Sequence, residues 1–160
     1  MRKTSTYIRK RRANPARCAN PHSVWHVLNR TEPLREEERV QLTAPVRVSF
    51  EKFKAGTATQ YDFDTLAAVY NMCMVVAETV NDEFLELTQR AQDSLMDIMA
   101  RHKRTGRYGL DHASLDVLPD IIDVYEQLLE VCTPMQMKAA WQEVIERIKT
   151  GNTLPESQDI

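Results

Sequence analysis

The residues of this chain best equipped for chemistry gather near its start. Arg9-Lys10-Arg11-Arg12 is an unbroken run of cations, with Tyr7 before it and Arg17 after it. Guanidinium and ammonium groups at that density neutralise neighbouring phosphates, and a tyrosine ring beside them can stack on a base. The same run would also dock on an acidic protein surface, or simply stay solvated. Arg9, Lys10, Arg11, Arg12 and Arg17 are therefore the candidate contacts to a nucleic acid or a partner protein. Cys18, His22 and His26 follow at steps of four, a spacing that on a helix would align three soft ligands for zinc. Pro21 interrupts such a helix and no fourth ligand is near, so these read as loop residues and no metal is expected.

Further along, Asp62 and Asp64 near Glu78, or Glu83 with Glu86, could be cast as a carboxylate pair for acid–base work. No Glu-x-x-His pattern accompanies them, and acids at helix starts and on solvent faces account for them. His102 beside Lys103 reads as compensation of a helix's negative end, and His112 as a polar residue near the next helix start. Cys73 and Cys132 lie on apolar faces, where a thiol behaves as a small hydrophobe rather than a nucleophile. With four glycines in the chain, there is no phosphate-cradling loop and no Gly-x-Ser-x-Gly. No reaction class gains support, so the chain is expected to be no enzyme and to need no cofactor.

The elements that would position these residues are helical. In the arm, Asn14-Pro15 and Asn20-Pro21 push the residue before each proline out of the helical region, leaving at most a short turn over Ser23 to Asn29. Trp25, Val27 and Leu28 form an apolar stripe there that either packs back on the body or joins a second copy. Residues 34–55 carry a helical pattern that Pro45 interrupts. From a Thr59 cap, Phe63, Leu66, Ala67, Tyr70, Cys73, Met74, Ala77 and Val80 recur at three- and four-residue steps. Val69, Met72 and Val76 widen that face, which marks a central helix. After a break at Asn81-Asp82, Phe84, Leu87, Ala91, Leu95, Ile98 and Met99 form a narrower stripe, ended by Gly106. The next helix starts at Asp111 or Ser114, or near Asp116 because of Pro119. Thr133-Pro134-Met135-Gln136 then opens the last with a capping box and proline at the first helical position, and Gly151 closes it. The expected fold class is all-α: four principal helices packed as a helical bundle over residues 31–151, a disordered basic N-terminal arm over 1–30, and a frayed tail over 152–160.

Charge is split between these parts. Residues 1–30 hold eight basic side chains and no acid, leaving 13 basic against 23 acidic residues in the remainder, a net of −10. The acidic remainder argues against wrapping DNA around the bundle, although such a surface can mimic nucleic-acid charge and occupy a basic groove on a host protein. At 160 residues the chain supports one core without staples. No apolar run approaches the ~18 residues of a spanning helix, so no membrane partner is expected. Three cysteines at unrelated spacings favour a reducing compartment, and the polar, basic start lacks the apolar region of a secretory signal. The expected location is the cytoplasm of a bacterial host cell.

That last expectation draws on a resemblance. The run Gly56-Thr57-Ala58-Thr59 with Asp62, Asp64, Leu66 and Asn71, then Thr105-Gly106-Arg107-Tyr108-Gly109-Leu110 and Cys132-Thr133, resembles a group of small proteins encoded in bacteriophages and prophages. The likeness covers about residues 46–150 and extends to the basic start. It implies a phage or prophage setting and no particular chemistry.

Overall fold

The computed structural model describes residues 32–78 and 82–151, the side chains of 82 and 83 excepted. Five helices fill them: α1 (Glu36–Lys54), α2 (Gln60–Ala77), α3 (Asp82–Thr105), α4 (His112–Val131) and α5 (Pro134–Thr150). There is no strand among the described residues, as an all-α chain requires. The count is one higher than four principal helices because α1 is a full helix. Pro45 lies in its middle, where it removes one backbone donor. Pro45 is exposed, while Val46, Ser49 and Phe53 on the adjoining side of the helix are buried. Packing of that face outweighs the local penalty. Pro119 is likewise interior: α4 starts at His112 and not near Asp116, because Asp111 accepts from the Ser114 backbone N–H at 2.8 Å and caps the earlier start.

Other helix ends follow from their sequences. At α5, Thr133 Oγ1 accepts from the Gln136 N–H at 3.3 Å while Gln136 Oε1 accepts from the Thr133 N–H at 2.8 Å, a reciprocal capping box. At the end of α1, Gly56 takes φ +70°, which lets its N–H reach the Phe53 carbonyl and that of Thr57 reach the Lys52 carbonyl. A side chain would strain that left-handed turn.

In the packing α2 is central, touching each of the other four helices, while α4 also packs against α1 and α3. Its apolar residues reach most of the way round, and Phe63, Leu66, Ala67, Val69, Tyr70, Met72, Cys73 and Ala77 are all buried. All of these but Met72 and Ala77 join Phe53 of α1, Leu95 and Ile98 of α3, and Ile121 and Ile122 of α4 in the main core. A second cluster joins Leu34 and Met72 to Leu129, Met137 and Val144, seating α5. Each such buried side chain contributes about 1.5–3 kcal/mol over its exposed state. Exposed ion pairs fasten the outside. Arg47 of α1 spans Glu126, at 2.6 and 2.7 Å, and Asp123, at 3.0 Å, on α4. Arg147 of α5 grips Glu78 at 2.6 and 2.7 Å and Glu143 at 2.8 Å.

Candidate functional site

Asp62 is fully buried in the corner where α1 turns into α2. Its Oδ2 accepts from the Thr59 N–H at 2.8 Å and the Thr59 hydroxyl at 2.7 Å. Its Oδ1 accepts from the Ser49 hydroxyl and from Lys52 Nζ, both at 3.0 Å. Burial by itself would push this carboxyl up, but the donors of Thr59, Lys52 and Ser49 outweigh it and hold it at about 2. With both oxygens fully engaged, Asp62 is a structural anion. It does more than face a helix dipole, and it is not the half of a catalytic pair.

A second polar constellation lies at the turn from α3 to α4. Tyr108, which reads from sequence as part of a short extended connector, is buried. Its ring stacks on His102 at 3.9 Å and on Phe63 at 5.6 Å, with the edge of Phe53 at 5.9 Å. Its hydroxyl meets Gln60 Oε1 at the start of α2, and burial pushes that hydroxyl's pKa up. Alongside, Arg101 donates to the Gly109 carbonyl at 2.6 Å and to Asp111 at 2.9 Å. Bonds from Ser114, and then Arg101, hold Asp111 at about 2. His102 is thus a ring packed on Tyr108 near a helix end. His112 is almost fully exposed, 3.8 Å from Asp116.

The thiols sit where their apolar faces place them. Cys73 is buried and pushed up to about 12 by burial, and Cys132 is half-buried and also raised. A thiol so held is protonated at neutral pH and a poor nucleophile. Asn71, also on α2, is fully buried, and neither of its amide atoms has a hydrogen-bond partner among the described residues. Among the described residues no three His, Cys, Asp or Glu side chains converge as metal ligands would.

A feature the sequence did not signal is an apolar groove of about 470 Å³ between α1, α2, α4 and α5. Val46, Val69, Met72, Leu129, Met137 and Trp141 are among its apolar lining, with Leu34, Glu38 and Gln41 also at the groove. It unites stretches far apart in the chain, so no local pattern announces it. Nearby at the α4–α5 turn, Val131 is 76% exposed and Met135 53%.

Arg9, Lys10, Arg11, Arg12 and Arg17 lie outside the described residues, as do Cys18, His22 and His26. Within the body, Arg39, Arg47, Lys52, Lys54, Arg101, Arg147 and Lys149 each sit within 3.2 Å of a carboxylate. No helix among the described residues is long and apolar enough to cross a membrane. The chain matches no protein-family model, no curated protein and no solved structure.

Proposed function

We propose that this is a non-enzymatic accessory protein of a phage or prophage, acting in the bacterial cytoplasm by binding a macromolecule, and that nucleic acid is engaged through Arg9, Lys10, Arg11, Arg12 and Arg17. The observation that carries the reading is the division of charge. Eight cations and no acid precede residue 31, and the remainder is net −10. Seven of the 13 cations that follow residue 30 sit within 3.2 Å of a carboxylate, so the densest cationic run open to phosphates is that of the arm. The phage setting rests on the resemblance over residues 46–150. The mechanism is association alone, with the bundle as the carrier.

The test replaces Arg9, Lys10, Arg11, Arg12 and Arg17 together with glutamine and measures DNA and RNA affinity at ~50 and ~200 mM salt. If all five contact phosphates, raising the salt weakens the parent by roughly 10²–10³-fold more than the variant. Equal affinity and equal salt slope in the two chains would remove nucleic acid from the reading.

A second reading is a protein-interaction module that inhibits or modulates a host protein through the acidic helical surface. The exposed apolar tip at Val131 and Met135, on an acidic body, favours it. Recovery of one stoichiometric host protein, insensitive to nuclease and lost on Val131→Asp, would select it.

A further inference from the structure

The apolar groove stands apart from the basic contacts just described, and its position in the chain says what covers it. Leu34 is buried at the groove and packs into the cluster of Met72, Leu129, Met137 and Val144. The polypeptide therefore enters the body at the groove, and whatever immediately precedes Leu34 begins beside it. Three residues further back, beyond Thr31-Glu32-Pro33, ends the stretch Ser23-Val24-Trp25-His26-Val27-Leu28-Asn29-Arg30, the apolar island in an otherwise polar arm. Trp25 and Leu28 are three residues apart and Val24 and Leu28 four, so one helical turn would put all three on one face.

We infer that the groove is the seat of this chain's own segment 23–30, with Trp25 and Leu28 on its apolar floor. Five residues separate Leu28 from Leu34, a reach of up to about 20 Å. Such a tether holds the segment at an effective concentration in the millimolar range without the entropic cost of bringing in a free partner. Chemistry matches as well as reach. The segment is largely apolar and carries no acid, and the groove that would take it is walled by aliphatic and aromatic side chains. Size argues against a second copy: 15 residues line the groove, whereas a stable association uses ~20–30 a side. Seating the segment would also fix the cations of residues 2–17 beside α1 instead of leaving them at the end of a long leash.

The test uses the full chain with Trp141→Phe, which leaves Trp25 as the only tryptophan. Its fluorescence is expected to be blue-shifted and protected from acrylamide. Ala68→Glu, which sets a carboxylate in the groove, is expected to raise the quenching constant severalfold with unchanged helicity. Leu28→Asp, which changes none of the residues of the five helices, is expected to do the same with unchanged helicity. A Trp25 already as accessible as free indole in the parent, or unmoved by Leu28→Asp, overturns the inference. Protection that disappears on dilution, with a sedimenting mass of twice 18.5 kDa at high concentration, would assign the groove to a second copy and equally overturn it.

Discussion

Replacing Asp62 with asparagine is the most informative perturbation of this fold, because the change is isosteric and every partner of the carboxylate is known. An amide can present oxygen to only one side. Keeping it toward Thr59 preserves the cap at 2.7 and 2.8 Å and turns the NH₂ group toward Ser49 and Lys52. The Ser49 hydroxyl can rotate to accept, but Lys52 Nζ, a donor alone, loses its partner. Charge-assisted bonds contribute about 1.5–3 kcal/mol against about 0.5–1.5 for neutral ones. Neutralising the two Thr59 bonds therefore costs about 2 kcal/mol, with the loss at Lys52 adding little because that side chain is 43% exposed. The expected destabilisation is about 2–3 kcal/mol at pH 7, or roughly 5–10 °C in Tm. Urea unfolding followed by circular dichroism would measure it.

The pH dependence supplies a second, independent check. A carboxyl held at about 2 in the fold against 3.8 in the open chain contributes fully above the higher value, and that contribution is lost as pH falls through the lower one. The gap between parent and Asp62→Asn is thus flat from pH 7 to 5, narrows below about 4, is mostly lost by about 2 and is gone below it. A loss under about 0.5 kcal/mol at pH 7, or a gap that persists undiminished at pH 2, would refute the account of the anion as the clamp of this corner.

Two further outcomes follow from the same geometry. Tyr108→Phe should cost about 1 kcal/mol for the bond to Gln60 and Tyr108→Ala about 3–5 kcal/mol for the lost ring, a difference read directly from paired unfolding curves. Under native conditions Cys132 should alkylate well before Cys73, whose modification should track global unfolding; mass-resolved labelling in increasing urea would show the order.

Which parts of this were legible beforehand depended on how local their causes are. The box at Thr133 and Gln136, the cap at Thr59 and the termination at Gly106 each lie within a few residues of sequence, and the fold contains them. The central place of α2 was legible too, because a helix with Leu66, Tyr70 and Cys73 on one face and Val69 and Met72 widening it has nowhere to sit but the middle. Pro45 misled, since its cost is local while the burial of Val46 and Phe53 that overrides it is tertiary. Asp62 reads as an ordinary first-turn acid until Ser49 and Lys52 arrive from α1. Tyr108 reads as a connector residue until Phe53, Phe63 and His102 converge on it from three helices. A tyrosine alone between glycine-flanked turn residues was the available hint, and it is a weak one. The groove had none.

α5 packs chiefly on α2 and buries only Pro134, Met137 and Val144 along its length. A helix with one main neighbour is the natural first unit to detach while the remaining four stay assembled. Pro134, Met137 and Trp141 form one wall of the groove, so each such excursion widens the cleft and each occupant opposes it. The amide protons of this last helix therefore become a gauge of occupancy: their exchange with solvent slows in proportion to how firmly the cleft is filled.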